Sequence, residues 1–557
     1  VLGPTDADGR YAAALGAWQA WYPDQGGNLT VSAGRDIRGD LWDSAGQVGF
    51  DVTPRSQTEG AGFAPSAVGN WLWRQGSPGV AGAQPTATSW WVNFGSYTSL
   101  PTLTGARMVG FMGFGTLGGG NLTLEAGRDA GVASGTVVNS LARHSSGVVA
   151  AVGSTGRVEA DGTLHLTGGG DLAVRLGGAL NPNLALATSD PSLNQPNLPL
   201  SGALVNLRGR MQLDAARIGG MVTNVAHYVA PYSGLRQEDP FRAQLGDAMG
   251  GPVLVLGDAV ATLQSRGDLV LAGVADAGRV PVPSYNALAL GDGRTAASSS
   301  WFSLWTANTA VDLISAGGDL APGQQRGTVM ATAESGELFA EAVKQRGGAD
   351  LRYWLYPSQL RMLAASGSIR LAETSTTGGD ARDVLLTAPS ARGSLEVLAM
   401  DSILVPMRGA DISSSGADVR LPSPFAPAFT AEVGATVIGN ASVDGVAGNP
   451  RASLPLFAFG PNAPLARELR EGTSAPNRFY AVQGDIVGLR TGGQWTLDNA
   501  MGTRSLLNWS DLSAPVQVRA GGDILVSSIG AMNTTATDIT VVQAGRDVVR
   551  STVHVAG

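Results

Sequence analysis

Cysteine is absent from all 557 residues, so the chain has no disulfide and no thiolate for metal binding or nucleophilic catalysis. This absence suits a bacterial export route in which the chain crosses the periplasm unfolded and without cross-links. Lysine is nearly absent too, since Lys344 is the only one. With 15% charged residues and a net charge of −8, the chain has no basic stripe that would neutralise nucleic-acid phosphates. No apolar run reaches the roughly 18 residues of a membrane-spanning helix.

Candidate metal ligands and nucleotide-binding motifs are equally scarce. The four histidines are dispersed, and none belongs to an HExxH or His-x-His pattern. The string GFGTLG (Gly113 to Gly118) matches GxGxxG, but no βαβ context follows it, and a chain with 78 glycines contains such matches by chance. We therefore predict no cofactor and no metal site.

What the chain does contain is a recurring short phrase, which indicates stacked structural units. Each copy is an alternating strand, a small residue, a glycine-bearing corner, an Asp and a new apolar residue. The copies are NLTVSAGRDI (Asn28 to Ile37), NLTLEAGRDA (Asn121 to Ala130), LHLTGGGDL (Leu164 to Leu172), ATLQSRGDL (Ala261 to Leu269), VDLISAGGDL (Val311 to Leu320), VQVRAGGDI (Val516 to Ile524) and VVQAGRDV (Val541 to Val548), with weaker copies at 366–371, 392–399, 401–405 and 483–489.

The alternation within a copy predicts the local geometry. In the first copy Leu29, Val31 and Ala33 share one face of a strand. Asp36 suits the corner, because its carboxylate can accept a hydrogen bond from nearby backbone N–H groups. The last two copies place Asp523 and Asp547 in register, a step of about two dozen residues that corresponds to one circuit of a short solenoid repeat.

These repeats predict an all-β chain folded as a right-handed parallel β-helix with loop and short helical insertions. A β-sandwich or barrel is the alternative, although neither needs the same corner so often. Helical patterns lie at 11–22, 239–250, 337–347 and 464–472. The predicted organisation is first coils with a short helix (1–40), a Trp-rich insertion (41–115), β-helix with insertions (116–335), coils with a helical decoration (336–405), a Pro/Gly-rich insertion (406–480) and terminal coils (481–557).

The AGRDI, AGGDI and AGGDL corners resemble those of filamentous haemagglutinin-type exoproteins exported by two-partner secretion. A closer resemblance covers about residues 250–430, through SWFSLWTANTAVDLISAGGDLAP (Ser300 to Pro322), YPSQLRMLAASGSIRL (Tyr356 to Leu371) and LPSPFAPAF (Leu421 to Phe429). The resemblance implies a secreted or surface-exposed β-helical fibre of a Gram-negative bacterium. It also implies an outer-membrane two-partner transporter during export, and roles in attachment, biofilm formation or contact-dependent competition.

We therefore expect an extracellular adhesin or surface-fibre segment that is not an enzyme. Its expected partners are cell-surface glycans or proteins of host or bacterial cells, together with further copies of itself in fibres. Two alternatives are the stalk of a contact-dependent growth-inhibition protein and a polysaccharide-processing β-helix enzyme. The enzyme would need clustered acids, whereas the repeated Asp residues are interpreted as turn caps: Asp36, Asp129, Asp171, Asp268, Asp319, Asp523 and Asp547.

Two segments are candidate ligand sites. Trp71, Trp73, Trp90, Trp91 and Tyr97 form the densest aromatic cluster, which is either a sugar-stacking platform or packing of the insertion against the solenoid. The triplet Arg38, Gly39 and Asp40 follows a corner and is a candidate cell-attachment motif. A second such triplet, 266–268, lies at a repeat corner and is interpreted as a by-product of corner chemistry.

Overall fold

Parallel strands form three faces that run along the molecule, and successive circuits of the chain add strands to each face in order. The computed structural model describes residues 26–38, 113–131, 148–158, 164–181, 203–223, 251–271, 273–276, 305–323, 352–371, 383–388, 390, 392–405, 411–414, 475–491 and 514–556, and further strands at 41–42, 72–75, 88–92, 98–102, 105–109, 136–138, 141–145, 246–249, 300–301, 428–429, 493–498 and 504–509. None of these residues is helical, and no membrane-crossing helix is found among them. The predicted parallel β-helix is confirmed.

The main path of the largest, 14-stranded sheet, here called face A, contains one strand from each of eleven coils, which we number 1 to 11 along the chain. Adjacent strands pair in parallel register, so that Val518 lies beside Val542 and Ala520 beside Ala544, as the sequence predicts. The face A strands are Leu29–Ala33, Leu122–Ala126, Leu172–Leu176, Ala203–Ala215 (second half), Val253–Ser265 (second half), Ala310–Ser315, Gln359–Ala364, Ser394–Ala399, Asn477–Ala481, Val516–Ala520 and Val541–Ala544.

Face B follows after a sharp corner and consists of two-residue strands: Ile37–Arg38, Ala130–Gly131, Ala179–Leu180, Arg217–Ile218, Leu269–Val270, Leu320–Ala321, Ile369–Arg370, Ile403–Leu404, Ile486–Val487, Ile524–Leu525 and Val548–Val549. Face C completes each coil. It comprises Phe114–Thr116, Ala150–Val152, the first halves of Ala203–Ala215 and Val253–Ser265, then Gly273–Asp276, Arg352–Tyr356, Asp383–Thr387, Asp411–Ser414, Arg490–Thr491, Ser528–Met532 and Thr552–Ala556.

The core consists of columns of apolar side chains that stack from coil to coil. Alternation along each face A strand buries every second residue, as in the buried–intermediate pattern of Leu122–Ala126. One inward column contains Leu124, Val174, Leu213, Leu263, Leu313, Met362, Val397, Phe479 and Val518, each 2% exposed or less. Burying one such side chain contributes about 1.5–3 kcal/mol, so every coil is stabilised by its neighbours above and below.

The insertions leave the solenoid at two of its three corners. Between face A and face B the connection is always short in the described coils, from one residue (Ala216) to four (residues 316–319). Insertions instead follow face B or face C. Equivalent corner residues of successive coils consequently lie between 24 and 93 residues apart in sequence.

The described parts of these insertions are antiparallel strands. Paired segments are Thr136–Val138 with Leu141–Ser145 and Leu41–Trp42; Leu72–Gln75, Thr88–Val92, Ser154–Val158 and Leu164–Gly168; Thr98–Thr102 with Gly105–Val109; Gly220–Thr223 with Gly246–Met249; Ser300–Trp301 with Ala428–Phe429; and Gly493–Asp498 with Arg504–Trp509.

The helix predicted at 239–250 is wrong over its last part, because Gly246–Met249 is a strand paired with Gly220–Thr223. Cross-strand hydrogen bonding there overrides a weak helical pattern that contains glycine. The helical patterns at 11–22, 337–347 and 464–472 lie outside the described residues.

Candidate functional site

A column of side-chain oxygens lines the corner between faces A and B. Each oxygen accepts a hydrogen bond from the backbone N–H of the equivalent residue on the following coil, over N···O distances of 2.7 to 3.4 Å. Aspartate supplies the oxygen at most levels, and a serine hydroxyl supplies it at two. This corner column comprises Asp36, Asp129, Asp268, Asp319, Ser368, Ser402, Asp485, Asp523 and Asp547, the last of which contributes its backbone N–H as a donor to Asp523.

The structure confirms that the corner aspartates accept backbone N–H bonds, but their donors lie one coil further on. Asp319 Oδ1, for example, accepts the N–H of Ser368 at 2.8 Å. A local turn cap would stabilise its own corner. These bonds join consecutive coils across 24 to 93 residues of sequence, so the column is an axial stabiliser of the stack.

Asp171 does not belong to this column, and its assignment to a repeat corner is wrong. The strand before it, Leu164–Gly168, pairs antiparallel within an insertion, and Asp171 itself precedes a face A strand. Its carboxylate accepts the N–H of Arg210 at 3.1 Å, and its own N–H donates to Asn121 Oδ1 at 2.9 Å. Asn121 in turn donates its N–H to Asn28 Oδ1 at 2.9 Å. These residues form a second ladder at the start of face A.

The arginine of the AGRD corner binds back to the preceding coil. The Arg128 guanidinium donates to both carboxylate oxygens of Asp36, at 3.2 and 2.7 Å. Arg546 donates to both oxygens of Asp523, at 3.1 and 3.0 Å, and reaches Asp485 Oδ1 at 2.9 Å. This fork-on-carboxylate geometry is specific to arginine and explains its use at the corner. Mainly through its hydrogen bond, Arg128 lowers the pKa of Asp36 below its ordinary value.

On the outer surface of face A, charges of opposite sign alternate along the axis. Asp312, Arg361, Glu396 and Arg478 are successive register partners. Arg361 lies 3.0 Å from Asp312, and Arg478 lies 2.5 Å from Glu396. The same arrangement joins Arg175 to Glu125 at 2.8 Å. Opposite charges directly across a strand pair favour this register over a shifted one.

Sequence reasoning missed these charged residues, although a signal for them exists. Counted back from the corner-column residue of each coil, the same position is occupied by Asp312, Arg361 and Arg478. Glu396 is offset from that position by one residue. Aligning the coils on the corner would have revealed the alternation. Beside this column lies an outward-facing, half-buried stripe formed by Ile314, Leu363, Leu398 and Tyr480. Arg519 packs over the Tyr480 ring, 5.6 Å from its centroid.

A shallow depression of about 490 Å³ lies on face A beside the corner. It is lined by the pair Glu125 and Arg175 and by Asp214 and Arg266, which are 3.2 Å apart. Opposite charges therefore already neutralise each other there. In the described part of the chain, no three His, Asp or Glu residues lie close enough together to hold a metal ion.

The structure brings two of the predicted aromatic residues together on adjacent strands. Leu72–Gln75 and Thr88–Val92 pair antiparallel, with Trp73 opposite Trp91 and Arg74 opposite Trp90. Ser154–Val158 lies on the other side of Thr88–Val92 and connects this small sheet to the solenoid. Trp71 and Tyr97 lie outside the described residues. The choice between a sugar platform and packing therefore stays a prediction.

The two Arg-Gly-Asp triplets differ in what the structure describes. In the second, Arg266 donates to Asp214 and to the Gly177 carbonyl at 3.0 Å, while Asp268 accepts the N–H of Asp319 at 3.0 Å. Both charged side chains therefore form hydrogen bonds within the solenoid, which agrees with the interpretation of this triplet as a by-product of corner chemistry. In the first, Arg38 ends a face B strand, and Gly39 and Asp40 lie outside the described residues.

Comparison with known proteins provides no assignment for this architecture: no family model, no curated protein and no solved structure matches the chain.

Proposed function

We propose that this chain is the scaffold of an extracellular bacterial adhesin or surface fibre, in which a regular β-helical rod displays binding segments from its sides. The observation that carries the proposal is the distribution of insertions. The corner between faces A and B stays at one to four residues in all described coils, while the other two corners accept insertions of very different length. A constant framework with variable side segments is the usual division between scaffold and recognition elements.

The bonds that the carboxylates form also favour a scaffold over a polysaccharide-cleaving enzyme. Such an enzyme needs an acid with a raised pKa and a second carboxylate placed to act as base or nucleophile. Asp36 instead has a lowered pKa, because Arg128 binds its charged form. Asp312 and Glu396 are each bound by an arginine of the next coil. These groups support coil stacking, and none is presented as a proton donor.

Within this proposal, the small sheet containing Trp73 and Trp91 is the candidate glycan-binding segment. Flat aromatic rings on adjacent strands suit stacking against pyranose rings. Like Trp73 and Trp91, Trp509 lies in an antiparallel insertion hairpin, but that hairpin is a different one. It therefore provides a matched control for the loss of a tryptophan from an insertion.

The test is attachment of the purified chain to a glycan array and to bacterial or epithelial cells. Trp73→Ala and Trp91→Ala should weaken attachment at least tenfold, while Trp509→Ala should leave it unchanged. All three variants should retain the far-UV circular dichroism of the parent. Equal attachment by all four proteins would remove the Trp sheet as the binding segment. No attachment to any surface would overturn the adhesin proposal itself.

A further inference from the structure

The outer surface of face A departs from the repeat on coils 6 to 9. Here one outward position is always charged, and we call these four residues the charged column: Asp312, Arg361, Glu396 and Arg478. Their register equivalents on the other seven coils are uncharged: Thr30, Thr123, Ala173, Gln212, Thr262, Gln517 and Val541. Those coils pair in register without charges at this position, so coil stacking alone does not require the charged column.

A second departure occurs on the same four coils, two residues further along each strand. The outward residues there form the apolar stripe, which consists of Ile314, Leu363, Leu398 and Tyr480. Their equivalents on the other described coils are all polar: Ser32, Glu125, Arg175, Asp214, Gln264, Arg519 and Gln543. Next to the stripe at the corner, Met400 is 37% exposed and Val482 is 61% exposed. An exposed apolar patch with a polar rim marks a contact surface.

The order of the charges indicates what this surface contacts. Along the rod the column runs negative, positive, negative, positive, and this order is its own complement when it is reversed. Consider a second copy related by a two-fold axis that crosses face A between coils 7 and 8, perpendicular to the rod. Coil 6 then lies opposite coil 9, and coil 7 lies opposite coil 8. Asp312 faces the partner's Arg478, and Arg361 faces the partner's Glu396.

The apolar stripe is self-complementary in the same arrangement. Leu363 faces the partner's Leu398 at the centre, and Ile314 faces the partner's Tyr480 on either side. At the corner, the exposed Val482 faces an alanine of the partner's coil 6. The stripe is thereby covered by apolar residues, and the charged column lies beside it with every charge opposite its complement.

We propose that face A is the contact surface for a second copy of this chain, and that the two rods pack antiparallel, centred on coils 6 to 9. A parallel pair would place Arg361 against the same arginine of the partner, or would cover the charged column with the apolar stripe. Only the antiparallel pair satisfies both features. Because the same surface is used by both copies, the contact is isologous and closes as a dimer.

The flanking coils extend this contact. Coil 5 lies opposite coil 10 and coil 4 opposite coil 11, so that Gln264 faces the partner's Arg519 and Asp214 faces the partner's Gln543. Neither opposed pair carries like charges. Eight coils spaced ~4.8 Å apart, with strands of about five residues, give roughly 650 Å² per copy. This area is close to the roughly 800 Å² per partner of a standard stable interface.

Charge exchange tests the pairing by sedimentation equilibrium, which measures mass against concentration. The parent chain should form dimers. The double variant D312R/R361D keeps an ion pair within the chain but changes the order to positive, negative, negative, positive, which opposes like charges in the dimer. E396R/R478E produces the inverse order. Each double variant alone should associate at least tenfold more weakly than the parent, whereas an equimolar mixture of the two should associate like the parent.

Recovery in the mixture excludes misfolding as the cause of the loss. The apolar stripe is tested separately by Leu363→Lys, which should also weaken association at least tenfold. Thr123→Lys is its matched control, since it adds the same charge to face A on coil 2, outside the opposed coils, and should leave association unchanged. Both variants should retain the far-UV circular dichroism of the parent.

Orientation can be read from single cysteines, because the chain has none of its own. In the antiparallel dimer, Gln264→Cys on one copy faces Arg519→Cys on the other across the ~10 Å that separates packed sheets. A short bis-maleimide should therefore join a mixture of the two variants. Neither variant should be joined to itself, since identical positions on the two copies lie five coils, or about 24 Å, apart along the rod.

The proposal is overturned if the parent stays monomeric at all concentrations, if the double variants associate like the parent, or if their mixture does not associate. Cross-linking of Gln264→Cys alone as efficiently as the mixture would overturn the antiparallel orientation. The inference goes beyond the proposed adhesin scaffold and does not rest on it. A chain that attaches to cells without pairing contradicts only the dimer, and one that pairs without attaching contradicts only the adhesin proposal.

Discussion

Asp523 Oδ1 accepts the backbone N–H of Asp547 at 2.9 Å, one coil and 24 residues further along the chain. The same relationship recurs from Asp36 to Asp523 at nearly every corner, and Arg128 and Arg546 strengthen it at the AGRD corners. The corner carboxylate keeps this hydrogen bond between consecutive coils whatever the length of the insertion between them. This explains why the corner sequence repeats while the spacing between its copies varies so widely.

The two last corner aspartates should differ in their contribution to stability. Asp523→Ala removes acceptors for the Asp547 N–H and the Arg546 guanidinium, and should cost about 1–2 kcal/mol. Asp547→Ala removes a carboxylate to which no described residue donates, and should stay within about 0.5 kcal/mol. This differs from the expectation from sequence, in which both were equivalent turn caps. Urea unfolding of the two variants measures the difference, and equal losses would contradict the axial role of the column.

Reversing one charge on face A should destabilise the rod. Arg361→Glu places a third acid between Asp312 and Glu396, on the two adjacent coils. Because Arg361 is 44% exposed, we expect a loss of about 1 kcal/mol at low salt and a smaller loss at 1 M NaCl. Arg361→Gln, which removes attraction without adding repulsion, is the matched control. An effect of Arg361→Glu that does not change with salt would rule out this electrostatic explanation.

Acid should weaken the contact between coils 1 and 2. The folded-state pKa of Asp36 is lowered, chiefly by its hydrogen bond from Arg128. Its stabilisation is therefore complete above the unfolded value of about 3.9 and is lost as the pH falls through the lower folded value. Hydrogen exchange of residues 29–38 should accelerate below about pH 4, relative to the coil 5 to 7 strands. In Arg128→Gln, residues 29–38 should already exchange faster at neutral pH and should show a smaller acceleration on acidification, because the folded-state pKa of Asp36 then lies closer to its unfolded value. An acceleration of unchanged size would contradict this role of Arg128.

Chelation should leave thermal stability unchanged. Corner carboxylates such as Asp319 and Asp523 are bound by backbone N–H groups or arginine, so a calcium ion would have to displace these bonds. Melting curves with EDTA and with added Ca²⁺ should superimpose. A melting temperature that drops with EDTA and recovers with calcium would show that the aspartates act as metal ligands.

Incubation with acidic and neutral polysaccharides should yield neither new reducing ends nor unsaturated products, because corner carboxylates such as Asp319 and Asp523 and the face A carboxylates of Asp312 and Glu396 are bound by N–H groups and arginines. Turnover that a single Asp or Glu substitution abolishes would overturn the scaffold proposal.

The sequence by itself determined the unit of this fold. Alternation over Leu29, Val31 and Ala33 and the small-Gly-x-Asp corner require a strand, a tight bend and a new strand, because side-chain alternation and glycine geometry are local properties. The register of the last two coils followed from the same pattern, since only 24 residues separate Asp523 from Asp547 and the two copies align without an insertion.

Tertiary structure alone decided which residues meet across the insertions. One charged column contains Asp312, Arg361, Glu396 and Arg478, although 82 residues separate the last two. Asp171 lies outside the corner column because the strand before it belongs to a hairpin. Coil stacking depends on where a chain of arbitrary length re-enters the solenoid. That position is set by burial of the inward columns and pairing of strand edges, which are non-local interactions that no single repeat encodes.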